Sequence, residues 1–267
     1  DIAVNNAKTS NNHICIYEES KNIEERYKEN IELATQIKEA ILGNRIICHY
    51  QPLLNIENSE IYSYESLVRL IDNKGNSLAP YKFLDFSKKI KLYSSITKIV
   101  VDKACKTFQN RDENFSINLS VDDIKDLETV DFILKTIKET NTSSRVTFEI
   151  LESEGIENYQ EVISFINQIK SLGARIAIDD FGTGYSNFEH LLRLDVDYIK
   201  IDGSLIKNIV TDDKHRLIVE TIVSFARRIG IKTVAEFVSD EKILQTIKEI
   251  GISCAQGYHI GKPETLV

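Results

Sequence analysis

The chain has 267 residues, 42% hydrophobic and 28% charged, enough apolar material for one large α/β domain or two small ones and too much for a disordered segment. A net charge of -8 excludes a nucleic-acid binder with a broad basic face, although an anionic substrate still binds where metal ions neutralise local carboxylates. No apolar run approaches the roughly 18 residues needed to cross a bilayer, no signal peptide is visible, and Cys15, Cys48, Cys105 and Cys254 form no CxxC pair. These features predict no membrane insertion by this segment, reduced thiols and a cytoplasmic setting, with a parent protein still free to be membrane-tethered.

The chain opens at Asp1 and contains no Met, which points to a piece of a longer protein. Residues 1–20 read as a remnant outside the main domain: the end of a helix over Asp1–Lys8, a turn at Asn11-Asn12 and a short strand over His13–Tyr17. A charged stretch then runs into an amphipathic helix with Ile31, Ala34, Ile37, Ile41 and Leu42 on one face and a stop at Gly43. Strands over 46–54 and 61–70, with a turn at Asn58-Ser59, predict an antiparallel hairpin. Helices near 80–90 and 92–109 follow. After them strands at 115–119, 145–151, 174–178, 198–201, 232–235 and 253–257 alternate with helices near 122–139, 157–172, 186–193, 213–229 and 240–250.

Such alternation predicts an α/β fold with a mainly parallel sheet and helices outside it. About eight strands in about 240 residues suit a (β/α)₈ barrel, and a doubly wound open sheet is the competitor. No Gly-rich phosphate loop follows the first strand, which disfavours a dinucleotide fold. Acidic residues end strands that are far apart in sequence, and a barrel brings all such ends to one rim.

The densest of these points is Ile178-Asp179-Asp180-Phe181-Gly182-Thr183-Gly184. Adjacent carboxylates repel unless a cation or a proton stands between them, and the glycines suit a loop that approaches a ligand closely. Glu65, Asn118, Glu149 and Glu236 each sit in or at the end of another apolar run and offer the hard oxygen ligands of Mg²⁺ or Mn²⁺. Blander readings exist for each. Alternation is equally consistent with Glu65 facing solvent, backbone groups can satisfy a buried Asn118, and one of the two aspartates can cap the following turn. Lys200 and Asp202, two apart in a strand, are expected to face the same way and pair near the rim.

Taken in order, Tyr50-Gln51-Pro52, Glu65-Ser66-Leu67-Val68-Arg69, Asn118-Leu119-Ser120, Glu149-Ile150-Leu151-Glu152, Asp179–Ser186, Lys200-Ile201-Asp202, Ala235-Glu236 and Gln256-Gly257-Tyr258 resemble the signature of EAL domains, over about residues 25–265. The resemblance implies a modified TIM (β/α)₈ barrel with one antiparallel strand and hydrolysis of cyclic di-GMP to linear pGpG, in bacterial second-messenger signalling. It divides the chain into residues 1–20, the end of a preceding GGDEF domain and a linker, and an EAL domain at 21–267. It implies two divalent ions, Mg²⁺ or Mn²⁺, held by Glu65, Asn118, Glu149, Asp179, Asp180 and Glu236. Lys200 and Glu236 are the implied catalytic residues. Gln51, Glu65, Leu67, Arg69, Asp202 and Gln256 are the implied substrate contacts, and Glu152 the implied anchor of the Asp180–Ser186 loop. A homodimer through that loop and the helix near 186–193, and a covalently linked GGDEF domain, are the implied partners; a large nucleic acid is not.

Ser66 stands where the family has Ala, Leu151 replaces Thr, Phe237 replaces Gly and Ser239 replaces Glu. Phe237 demands space and a non-glycine backbone. The alternative reading is therefore a catalytically weak or inactive domain that serves as a cyclic di-GMP receptor.

Overall fold

A computed structural model describes residues 21–154, 160–182 and 188–266. The expected remnant at 1–20 and most of the Asp180–Ser186 loop lie outside the described residues. Helix α1 (Lys21–Leu42) leads into the hairpin β1 (Ile46–Asn55) and β2 (Glu60–Ile71), followed by a two-residue strand β3 (Ser77–Leu78). Then come α2 (Leu84–Lys89), α3 (Tyr93–Phe108), β4 (Asn114–Leu119), α4 (Val121–Lys125), α5 (Leu127–Glu139) and β5 (Val146–Leu151). The chain continues through α6 (Gln160–Ser171), β6 (Arg175–Phe181), α7 (Phe188–Arg193), β7 (Tyr198–Ile201) and α8 (Gly203–Ile206). It ends with α9 (Asp213–Arg228), β8 (Lys232–Ala235), α10 (Glu241–Ile250) and β9 (Cys254–Gln256).

The strands run in the order β1-β9-β8-β7-β6-β5-β4-β2-β3, and β1 also pairs with β2. That pairing closes eight strands into a barrel and leaves β3 as an appendage on β2. Strand β1 is antiparallel to both neighbours, while every other pair around the ring is parallel. The barrel is thus the fold expected from the alternation, its single reversed strand the one the resemblance implied, and the open sheet is excluded.

Period-2 alternation sorts the strand residues. Phe115, Ile117, Phe148, Ile150, Ile176, Ile178, Ile199 and Ile201 join the large apolar core that includes the buried faces of the helices. Ala177, Tyr198, Val234 and Cys254 instead pack with Leu53 in a small separate cluster. The residues alternating with the first set put polar groups into the barrel. At its N-terminal end Arg175 donates to the Tyr62 hydroxyl (3.0 Å) and to Asn114 Oδ1 (2.9 Å). At the C-terminal end stand Glu149 and Lys200.

Four expectations change. The helix near 122–139 is two helices, because Asp126 leaves helical geometry (φ -83°, ψ 102°) and caps the second through Glu128 N–H. The helix near 80–90 opens as a 3₁₀ turn at Pro80–Lys82 before α2. Strand β6 runs to Phe181, so Asp179 and Asp180 belong to the strand and not to the loop after it. Two short elements, β3 and α8, carry too few residues for periodicity to reveal them. No helix among the described residues is long and apolar enough to cross a membrane.

Candidate active site

Lys200, only 1% exposed, holds the centre of the C-terminal end of the barrel. Its Nζ lies 2.6 Å from Glu149 Oε2, 2.9 Å from Glu236 Oε1, 3.0 Å from Asp179 Oδ1 and 3.4 Å from Glu65 Oε2. The four carboxylates come from β5, the residue after β8, β6 and β2, and all four are buried. Asn118, on the β4 rim, donates to Glu65 Oε1 (2.8 Å), and Gln256 of β9 donates to Glu65 Oε2 (2.7 Å) and Gln51 Oε1 (3.3 Å). Gln51 Nε2 in turn donates to the Gly261 carbonyl (3.1 Å).

Closure of the barrel thus brings Glu65, Asn118, Glu149, Asp179 and Glu236 to one basin. Asp180 completes it, since oxygens of Asp179, Asp180 and Glu236 lie within 4.8 Å of one another. The expected Lys200–Asp202 pair does not form. Asp202 begins the turn after β7, where its carboxylate accepts from Ser204 N–H (2.8 Å) and hydrogen-bonds the Asp180 carboxyl. The strand ends at Ile201, so alternation no longer governs Asp202.

Electrostatics follows from burial. Lys200 is held well above its ordinary range: burial opposes the charge, but Asp179, Glu149, Glu236 and Glu65 outweigh it. Glu65 sits below its usual value, because Lys200 and the amides of Gln256 and Asn118 overcome desolvation. Glu149 is driven well upward by burial and by Glu65 and Asp179. Burial, with Asp179 and Glu65, pushes Glu236 up to about 8; burial, with Asp179 and Asp202, pushes Asp180 up to about 6. One ammonium cannot neutralise five carboxylates, so protons fill the gap.

Donor chemistry and charge both fit two divalent cations. The side chains offer only hard oxygen ligands, and the four excess negative charges equal the charge of two such ions. Oxygens of Asp179, Asp180 and Glu236 lie close enough to hold one; Glu65, Asn118, Glu149 and Asp179 are the candidates for the other.

Above the carboxylates opens a cleft of about 460 Å³ lined by Gln51, Leu67, Arg69, Lys207, Phe237 and Tyr258, among others. The lining includes the expected Gln51, Glu65, Leu67, Arg69 and Gln256 but not Asp202, which reaches the cleft only through Asp180. Sequence reasoning missed Lys207 and Pro263, which sit beyond short or irregular segments without a periodic signal. A second cavity of about 240 Å³, bordered by Leu67, Asn118, Pro80, Leu84, Tyr93 and Leu151, shares Leu67 with the cleft. Glu152 accepts from Gly182 N–H (3.1 Å), the first residue after β6. Gly182 has φ 103°, a backbone region that strains any other residue, and a Cβ there would also displace the tip of Leu205, 2.5 Å away.

The cyclic di-GMP phosphodiesterase PdeB of Shewanella oneidensis is 36% identical over 100% of this chain, which spans 32% of PdeB. MucR of Pseudomonas aeruginosa, a bifunctional diguanylate cyclase/cyclic di-GMP phosphodiesterase, is 28% identical over 98% of this chain and 39% of its own length. The chain therefore covers about a third of the curated relatives it matches. A solved structure of the PaMucR phosphodiesterase in complex with c-di-GMP is 28% identical and superposes with a TM-score of 0.82, covering 87% of this chain and 97% of that one. With the EAL domain profile matching residues 34–263 and the barrel and its ring of oxygen donors in place, this chain belongs to the EAL domain family.

Proposed function

We propose that this chain hydrolyses cyclic di-GMP to linear pGpG with two divalent ions. The observation that carries the reading is the convergence of Glu65, Glu149, Asp179 and Glu236 on Lys200 at the floor of a cleft. Cavities of about 460 and 240 Å³ that share Leu67 suit a ligand with two bases joined by phosphates. The names of PdeB and MucR support the same substrate.

Bound divalent ions supply an acidified water and neutralise charge developing on the phosphoryl oxygens. The protein's own residues do the rest. Lys200 stays protonated, so it acts as a hydrogen-bond donor at the floor of the cleft and holds the carboxylates in register; it is not a base. Glu236, raised to about 8 by burial in the metal-free chain, gives up its proton on binding a cation and then serves as a ligand. Arg69 and Lys207 present cations to the cleft for the second phosphate, Arg69 with a fork suited to two oxygens. Gln51, Leu67 and Gln256 line the cleft beside Glu65 and orient the substrate, and Asp202 supports Asp180 from behind.

The receptor alternative draws on Phe237 and Ser239, both on the cleft wall. Incubation with cyclic di-GMP and Mg²⁺ or Mn²⁺, followed by chromatography for pGpG, decides. Metal-dependent product that vanishes in Asp179→Asn supports the enzyme; tight binding without product selects the receptor.

Two further readings rest on the same family. MucR's double name supports residues 1–20 as the end of a GGDEF domain. Exposed Leu192 on α7 and Leu217 and Ile218 on α9, helices joined by the Phe188–Phe225 ring contact, support a homodimer face. Sedimentation of the purified chain tests the dimer.

A further inference from the structure

Phe237 follows Glu236 directly, and its place in the structure is costly. Its backbone is left-handed (φ 55°), a region that strains a non-glycine residue. The residue is 54% exposed, so burial does not account for the strain. Such geometry persists only where the surroundings over-determine it.

The surroundings are specific. The ring lies flush on the backbone of Gly203: a Cβ built there would fall 2.5 Å from Phe237 Cγ and 2.8 Å from Phe237 Cβ. Lys207, at the far end of the same turn, sets its ammonium 4.2 Å from the ring centroid. Phe237 therefore spans from the end of β8 to the turn after β7. Two backbone bonds run alongside it, Glu236 N–H to the Ile201 carbonyl (3.2 Å) and Asp202 N–H to the Phe181 carbonyl (3.2 Å). The three strand ends joined this way carry Asp179 and Asp180, Asp202, and Glu236. Gly203 adjoins Asp202, whose carboxylate meets Asp180.

We propose that Phe237 is a positioning residue: its ring, seated on Gly203, braces the Asp202 turn so that Asp180 and Glu236 stay within ligand distance of one cation. The inference rests on the two-metal reading above. A glycine at 237 would relieve the backbone but leave Gly203 uncovered and the turn free to move. The brace acts on cation affinity, which is read without nucleotide, although Phe237 also borders the cleft.

The test is Mn²⁺ binding to the metal-stripped chain without nucleotide, by calorimetry, alongside thermal unfolding. Phe237→Tyr keeps the ring, and its hydroxyl reaches solvent, so its affinity stays within about twofold of wild type. Phe237→Gly and Gly203→Ala each weaken binding about tenfold, the usual effect of losing support behind a ligand. The double variant is no weaker than Phe237→Gly, because the new methyl occupies the space the ring has left. Wild-type affinity in Phe237→Gly, or equal losses in Phe237→Tyr and Phe237→Gly, overturns the brace. Absence of Mn²⁺ binding by the wild-type chain overturns the metal reading and the brace with it. Should Gly203→Ala not fold, the Tyr and Gly variants at 237 decide alone.

Discussion

Lys200 Nζ and Glu149 Oε2 are 2.6 Å apart, with both side chains 2% exposed. Glu65, Asp179 and Glu236 also reach the ammonium, so this is a centre of excess negative charge and not a balanced ion pair. Charge in a buried place is stable only when compensated. The chemistry and the stability of this chain are therefore coupled through one nitrogen.

Removing that nitrogen leaves the carboxylates facing one another. Lys200→Met is expected to destabilise the metal-free chain by about 3 kcal/mol, roughly 10 °C in Tm for a chain of this size. Mn²⁺ should restore much of the loss, because cations take over the missing charge. Unfolding scans with chelator and with Mn²⁺ check this; an unchanged Tm in chelator refutes it.

Asp179 faces both Lys200 and the Asp180–Glu236 pair. Asp179→Asn is expected to cut hydrolysis by about 10³-fold or more and to lower the number of Mn²⁺ ions bound from two to at most one. Product formation and calorimetric stoichiometry read the two effects separately.

Cation binding should expel protons. Glu149 is raised well above its ordinary value, Glu236 to about 8 and Asp180 to about 6, so the metal-free site carries protons at neutral pH. Ligation needs the ionised forms. Mn²⁺ affinity is thus expected to rise from pH 6 to pH 8, with proton release visible as a binding enthalpy that changes with buffer.

The sign for stability runs the other way. Between the ordinary glutamic value of 4.5 and about 8, native Glu236 holds a proton that the unfolded chain has lost. Native protein binds more protons, so metal-free stability falls as pH rises through that window. Tm in chelator should decline from pH 5.5 to pH 8, and saturating Mn²⁺ should flatten or reverse the trend.

Glu152 accepts from Gly182 N–H just beyond Asp179 and Asp180. Glu152→Gln removes the charge from this bond at a cost of about 1 kcal/mol. The expected result is a kcat lowered about tenfold with Mn²⁺ affinity little changed. A variant equal to wild type in kcat would remove Glu152 from the account.

Much of the site is legible in the amino-acid order alone. Asp179-Asp180 stands out because two adjacent carboxylates have few bland explanations, and Glu149 because apolar neighbours crowd it. The break at Asp126 is not legible, because Ile124 and Leu127 continue an apolar pattern across a residue that caps as readily as it continues a helix. The Lys200–Asp202 expectation fails because alternation holds only within a strand, and β7 ends between them. Phe237 is visible as an odd residue, but nothing in the chain names Gly203 as its seat.

The sequence by itself determined the order of strands and helices, which residues alternate inward, and that the inward set near the strand ends is rich in hard oxygen donors. Those properties are local: period, propensity and side-chain chemistry reside in neighbouring residues. Only the tertiary structure decided that Glu65 and Glu236, 171 positions apart, address the same ammonium. Barrel closure through the β1–β2 and β1–β9 pairings sets that meeting. Only burial, a property of the packed whole, decided which of those carboxyls keep a proton.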